Sequence, residues 1–99
     1  MEGRLVGMNG EDCLTIRLYT RRWCGYCTAA RRLLKKLDAE LEEIPLDNDP
    51  ELRRSIAEAN GNWPTLPMIF IDERFVGGYR ELSLLKRSGE LDTLIEGAA

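Results

Sequence analysis

Tyr19-Thr20-Arg21-Arg22-Trp23-Cys24-Gly25-Tyr26-Cys27 is the stretch on which the fold reading turns, because a Cys-x-x-Cys pair stands where one apolar pattern stops and another begins. Upstream, Leu14-Thr15-Ile16-Arg17-Leu18-Tyr19 alternates apolar and polar residues with β-branched and aromatic content, the pattern of a strand. Downstream, Ala30, Leu33, Leu34 and Leu37 recur at helical spacing, with Arg31, Arg32, Lys35 and Lys36 on the outer face. The pair therefore occupies a strand-to-helix junction.

Beyond it, Glu42-Glu43-Ile44-Pro45-Leu46 reads as a second short strand. Asp49 before Pro50 is a helix start, and Leu52, Ile56 and Ala59 carry one apolar face as far as Asn60-Gly61. A proline-punctuated loop, Asn62 to Pro67, leads into the continuous apolar run Met68-Ile69-Phe70-Ile71, which turns back through Phe75-Val76-Gly77 as a hairpin. Glu81 to Arg87 reads as a helix stopped by Gly89, and a last turn or two surrounds Leu91, Leu94 and Ile95. Strand-helix-strand implies two parallel strands joined by a right-handed crossover, to which the hairpin adds an antiparallel pair. The expected fold class is α/β: a mixed four-stranded sheet flanked by three or more helices. Residues 1–12 lack periodicity and are expected as a mobile arm ahead of one domain over residues 13–99.

With 99 residues, 43% of them hydrophobic, the chain supports one core. A net charge of −3 offers no basic surplus for a phosphate backbone, so nucleic acid is not an expected partner. No apolar run approaches the roughly 20 residues of a membrane span, and the N-terminal residues lack the apolar segment of a secretory signal, so the expected location is cytoplasmic.

Three cysteines do not make a secreted disulfide framework, and the absence of histidine removes the commonest base and metal ligand. The nucleophile must be activated otherwise. Cys24 falls at a helix N-terminus, where unpaired N–H groups and the helix dipole favour a thiolate over a thiol, and Arg21 and Arg22 add positive charge. Cys24 is the expected nucleophile. Cys27, one turn inside the helix, is the expected resolving thiol. The zinc alternative would need two further ligands from Cys13 and carboxylates, and no metal site is expected. Cys13 itself reads as a small hydrophobe at the start of the first strand.

The segment Tyr19 to Cys27 resembles the active-site segment of glutaredoxins. Thr65-Leu66-Pro67 resembles that family's Thr-Val-Pro loop, and Phe75-Val76-Gly77-Gly78-Tyr79-Arg80-Glu81-Leu82 resembles its Gly-Gly motif. The resemblance covers about Leu14 to Ile95 and implies a thioredoxin-like fold and a thiol-disulfide oxidoreductase. Its co-substrate would be glutathione and its partners disulfide-containing or glutathionylated proteins, with no cofactor tightly bound and the chain acting as a monomer. It also implies a glutathione site: Pro67 as a cis-proline facing the cysteines, the Leu66 backbone pairing with the cysteinyl part of glutathione, and Arg21 on the glycine carboxylate. Tyr26 would line the cleft, and the backbone N–H groups around Tyr79, Arg80 and Glu81 would hold the γ-glutamyl carboxylate. Without the resemblance, Pro67 reads as a turn residue, Gly77-Gly78 as a hairpin exit, Arg22 as a surface charge, and Trp23 and Trp63 as packing.

Two features depart from the dithiol pattern. Gly25 stands where proline is usual, and with Asn62-Trp63-Pro64-Thr65 it resembles monothiol members. This motivates an alternative in which Cys24 ligates a [2Fe-2S] cluster shared between two chains in a dimer. Arg80 stands where the family usually has an aspartate near the glutathione ammonium, which motivates reduction by another low-molecular-weight thiol or by thioredoxin reductase. Mycoredoxins resemble the chain in their Trp-Cys-Gly-Tyr-Cys segment.

Overall fold

The computed structural model describes residues 14–37 and 39–98; the arm expected over residues 1–12, and Cys13, lie outside the described residues. Eight elements follow in chain order: β1 (Thr15–Thr20), α1 (Gly25–Lys35), β2 (Glu40–Pro45), α2 (Pro50–Ala59), β3 (Met68–Ile71), β4 (Arg74–Gly77), α3 (Tyr79–Ser88) and α4 (Glu90–Ala98). The strands form one sheet in the order β2-β1-β3-β4. β1 runs parallel to β2 and antiparallel to β3, and β3 antiparallel to β4. This is the mixed four-stranded sheet expected from the element order.

Strand alternation sorts the core into two layers. On one face Ile16, Leu18, Ile69 and Ile71 meet Ala30 and Leu34 of α1, Leu82 of α3 and Leu91 of α4. A second cluster joins Tyr19, Leu46, Leu66 and Met68 with both cysteines, and half-buried Ile56 and Ala57 of α2 pack against it. No residue of α2 is fully buried. Arg17 lies over the Phe70 ring, 4.9 Å from its centroid, and closes the outer face of the sheet centre.

Several boundaries differ from the sequence reading. α1 begins at Gly25, which leaves Cys24 at the helix N-terminus as expected, and the Cys24 sulfur accepts the Cys27 N–H and so caps the first turn. Leu37 falls beyond the end of α1 yet still packs on the core. β2 starts at Glu40, and its acids are accommodated because it is an edge strand: Glu43 faces Arg31, whose Nε and Nη2 each donate to it at 2.7 Å, and Thr20 Oγ1 donates at 3.1 Å. Those hydrogen bonds from Arg31 hold the Glu43 carboxyl below the usual carboxylate range. α3 starts two residues early, at Tyr79. The expected last turn or two is a nine-residue helix, α4, since Ser88 Oγ and the left-handed Gly89 let a new helix start immediately after α3.

α3 provides a direct test of the layering. Leu82 is 0% exposed and Leu84 is 55% exposed. Leu82→Ala should lower the unfolding free energy by about 2–5 kcal/mol in denaturant melts, while Leu84→Ala should stay within about 0.5 kcal/mol of the wild type.

Candidate active site

Cys24 is the N-cap of α1: its φ of −118° and ψ of 107° are extended, and its sulfur accepts the Cys27 backbone N–H at 3.2 Å. Cys27 lies in the first turn, where the chain has already become helical. Both thiols are free. Cys24 is 8% exposed and Cys27 is 1% exposed, and of the two only Cys24 lines the cleft. The Cys24 thiol also points at the Leu66 carbonyl, 3.7 Å away, in the loop that carries the cis peptide bond between Leu66 and Pro67. The loop and the helix start thus close on the same sulfur.

A cleft of about 600 Å³ opens above Cys24. Its lining includes every residue proposed from sequence as a glutathione contact: Arg21, Tyr26, Leu66, Pro67, Tyr79 and Arg80. Tyr26 stacks on Tyr79 with centroids 6.1 Å apart and planes 27° apart, so the active-site loop and the start of α3 share one wall. Arg21 Nη1 donates to the carbonyls of Arg22 (3.0 Å) and Trp23 (3.3 Å), fixing the loop ahead of the nucleophile. Arg22 lies outside the cleft lining, its backbone N–H bonded to Asp47 Oδ1 at 2.8 Å.

The cleft also contains residues the sequence reading did not place in it. Arg53 enters from α2, whose docking on the sheet no local pattern encodes. Trp63 lines the cleft and meets Phe75 edge-on, its buried indole N–H without a partner among the described residues. Trp23, read as packing, is instead 90% exposed and adopts a left-handed φ of 56°, an unfavourable conformation for a bulky residue. Two aromatic side chains, Trp23 and Tyr26, therefore flank the nucleophile on the surface.

At the start of α3 the N-cap is Gly78, which has no side chain with which to cap the helix. Glu81 Oε1 reaches back to the Gly78 N–H at 2.9 Å, but no side chain caps the first-turn N–H groups of α3. An extra Cβ at Gly77, whose φ is +121°, would sit 2.9 Å from Glu81 Cγ, so that position must be glycine for the carboxylate to fold back. The result is an open helix N-terminus facing the cleft.

Burial pushes the Cys27 thiol up from its ordinary 9.0 to about 12, and its hydrogen bond with Cys24 acts in the same direction. Since the folded value is the higher, the unfolded chain loses this proton first. The stabilisation is intact below pH 9.0 and is lost as the pH climbs towards about 12. Unfolding free energies measured at intervals from pH 8 upward should fall for the wild type by at most about 1.4 kcal/mol per pH unit more than for Cys27→Ser. Equal slopes would mean that Cys27 is not held as a thiol.

Comparison with known proteins agrees with this geometry. The Glutaredoxin family model matches residues 16–76. A glutaredoxin of Pseudomonas aeruginosa is 42% identical over 78 residues, spanning 79% of this chain and 92% of that protein. The solution structure of glutaredoxin from Brucella melitensis superimposes with a TM-score of 0.73 at 39% identity, covering 85% of this chain and 90% of that one. The crystal structure of a buckwheat glutaredoxin-glutathione complex shares the fold, with a TM-score of 0.76 at 23% identity, covering 84% of this chain and 77% of that one. With the family model spanning most of the sheet and a relative this similar aligned along most of the chain, the protein belongs to the glutaredoxin family and is a thiol-disulfide oxidoreductase.

Proposed function

We propose that the chain uses glutathione as co-substrate to reduce protein disulfides and glutathione mixed disulfides, acting as a cytoplasmic monomer. The observation that carries this reading is the single cleft that joins the Cys24 sulfur, the Pro67 loop and the open N-terminus of α3. The glutathione held by the buckwheat relative supports it by analogy.

Cys24 attacks the glutathionyl sulfur of a mixed disulfide, and the substrate cysteine leaves as a thiolate that takes up a proton. A second glutathione thiolate then attacks the Cys24-glutathione disulfide, releasing glutathione disulfide and restoring the Cys24 sulfur. With a protein disulfide, Cys24 forms the mixed disulfide with one substrate sulfur. Cys27 then gives up its proton and attacks Cys24, so that the substrate leaves as a dithiol and a Cys24–Cys27 disulfide remains for glutathione to reduce. The depth of Cys27 keeps it a thiol until the first step has occurred.

In this arrangement the Leu66 backbone beside Pro67 pairs with the cysteinyl residue of glutathione, and Tyr26 covers its sulfur. The uncapped N–H groups of Tyr79, Arg80 and Glu81 receive the γ-glutamyl carboxylate, where the helix dipole favours an anion. Arg21 takes the glycine carboxylate.

One feature favours a second reading. A Cβ built on Gly25 would meet nothing within 4 Å, leaving room beside Cys24 for a [2Fe-2S] cluster held between two chains. Among the described residues no group of three His, Cys, Asp or Glu side chains could hold a metal, so Cys24 would be this chain's ligand and glutathione thiolates would complete the set. Anaerobic reconstitution giving a coloured dimer would support this reading, and a colourless monomer would overturn it.

For the principal reading, Cys24→Ser should lower glutathione-coupled reduction of a mixed disulfide by about a thousandfold or more. Cys27→Ser should keep that activity and lose reduction of protein disulfides. Retention of mixed-disulfide reduction by Cys24→Ser would exclude Cys24 as the nucleophile.

A further inference from the structure

Trp23 directly precedes the nucleophile in the chain, and it is 90% exposed. Tyr26 is also exposed, but it stacks on Tyr79 and lines the cleft, so its surface belongs to that site. Trp23 does neither: it lies outside the cleft lining, and among the described residues no aromatic ring or guanidinium packs on it. Its φ of 56° is unfavourable for a bulky side chain, and neighbouring groups hold the turn in that state. Arg21 Nη1 donates to the Arg22 and Trp23 carbonyls, and Asp47 Oδ1 accepts the Arg22 N–H. The fold thus keeps a large apolar surface in solvent, one residue from the reacting sulfur.

A substrate sulfur bonded to Cys24 brings the residues beside it in its own chain within reach of this ring. A small thiol held in the cleft has no need of Trp23, whereas a polypeptide must continue past the rim and can cover it. A cationic side chain can stack on an indole, but Arg21 and Arg22 precede the ring and repel a cation. An aliphatic or aromatic side chain gains the contact without that cost. Resting on the protein-disulfide branch of the reading above, we propose that Trp23 is a specificity-determining residue that docks the substrate polypeptide. The favoured class is a protein disulfide with an apolar side chain beside the attacked cysteine.

Three symmetrical disulfides test it, each joining two copies of a short peptide whose cysteine is flanked by leucine, by serine or by lysine. Cys24 attacks one sulfur and the first peptide leaves as a thiolate that takes up a proton. Cys27 then loses its proton and attacks Cys24, so the second peptide leaves and the enzyme dithiol has become a disulfide. With the reduced enzyme as the only reductant, acid quenching and alkylation follow the loss of two enzyme thiols, and glutathione plays no part. Partial burial of one contact on an open rim supports a preference of about five- to tenfold. The wild type should therefore be oxidised about five- to tenfold faster by the leucine peptide than by either of the others. Trp23→Asn should bring the leucine-to-serine ratio to within about twofold of one, and Trp23→Phe should retain part of the preference. Asparagine tolerates the left-handed turn better than tryptophan, so Trp23→Asn should melt no lower than the wild type.

Equal wild-type rates, a lysine peptide that reacts fastest, or a ratio that survives Trp23→Asn overturns the inference and leaves protein-disulfide reduction standing. An equal loss on all three peptides in Trp23→Asn also overturns it, because the ring would then act on the loop rather than on the substrate. Failure of the wild type to react with any of the three overturns the protein-disulfide branch, and the inference falls with it.

Discussion

Antiparallel pairing of β1 with β3, in the register that sets Tyr19 opposite Met68, brings the end of one strand beside the start of the other. Cys24 lies just beyond the end of β1, and Pro67 just before the start of β3. The nucleophile and the loop that faces it therefore arrive at the same edge of the sheet by backbone geometry, before any side chain is considered. β2 runs parallel to β1 and ends there too, launching α2 and with it Arg53. β4 is antiparallel to β3 and delivers Gly77 opposite Ile69, so α3 starts at that edge. A central strand with one parallel and one antiparallel neighbour makes four chain segments converge on one cleft.

Convergence alone would give two equivalent sulfurs. What distinguishes them is depth along α1: one residue closes the helix at the rim and the other sits within the first turn against the second core cluster. Arg31 is a turn further along the same helix, and its fork on Glu43, joined by Thr20, ties α1 across to β1 and β2. The pair and Thr20 are about two-thirds or more shielded from solvent, which makes this bridge less screened than a surface ion pair. It holds the helix that carries both thiols against the strand that delivers them.

Much of this was legible in the residue pattern because local chemistry determined it. The Asp49-Pro50 helix start, the apolar run Met68 to Ile71 and the Cys-x-x-Cys pair at a strand-to-helix junction each have local causes, and each stands where the pattern placed it. The capping hydrogen bond of the Cys24 sulfur was less visible than the start of α1, since sulfur is not among the side chains that usually announce an N-cap. Arg53 was invisible because its place depends on how a helix with no fully buried residue rests on the sheet. Trp23 was misread because apolar character predicts burial only as a tendency, whereas here a left-handed backbone turns the ring outward. The role of Glu81 in occupying the Gly78 N–H could not be inferred either, because it required the glycine at 77 to let the carboxylate fold back.

The Cys24 sulfur that closes α1 is also the atom whose bonding changes in every turnover. A Cys24 thiolate is a stronger acceptor for the Cys27 N–H than the weakly accepting sulfur of a disulfide. Secondary structure and electron transfer are thereby joined in one thermodynamic cycle, and whatever the helix gains from its cap is forgone on oxidation. For a two-electron couple each ~1.4 kcal/mol of such a difference corresponds to about 30 mV of reduction potential. The sign favours the dithiol, making the disulfide form the better oxidant. The coil-to-helix equilibrium of a single turn thus becomes one of the settings of the protein's redox poise.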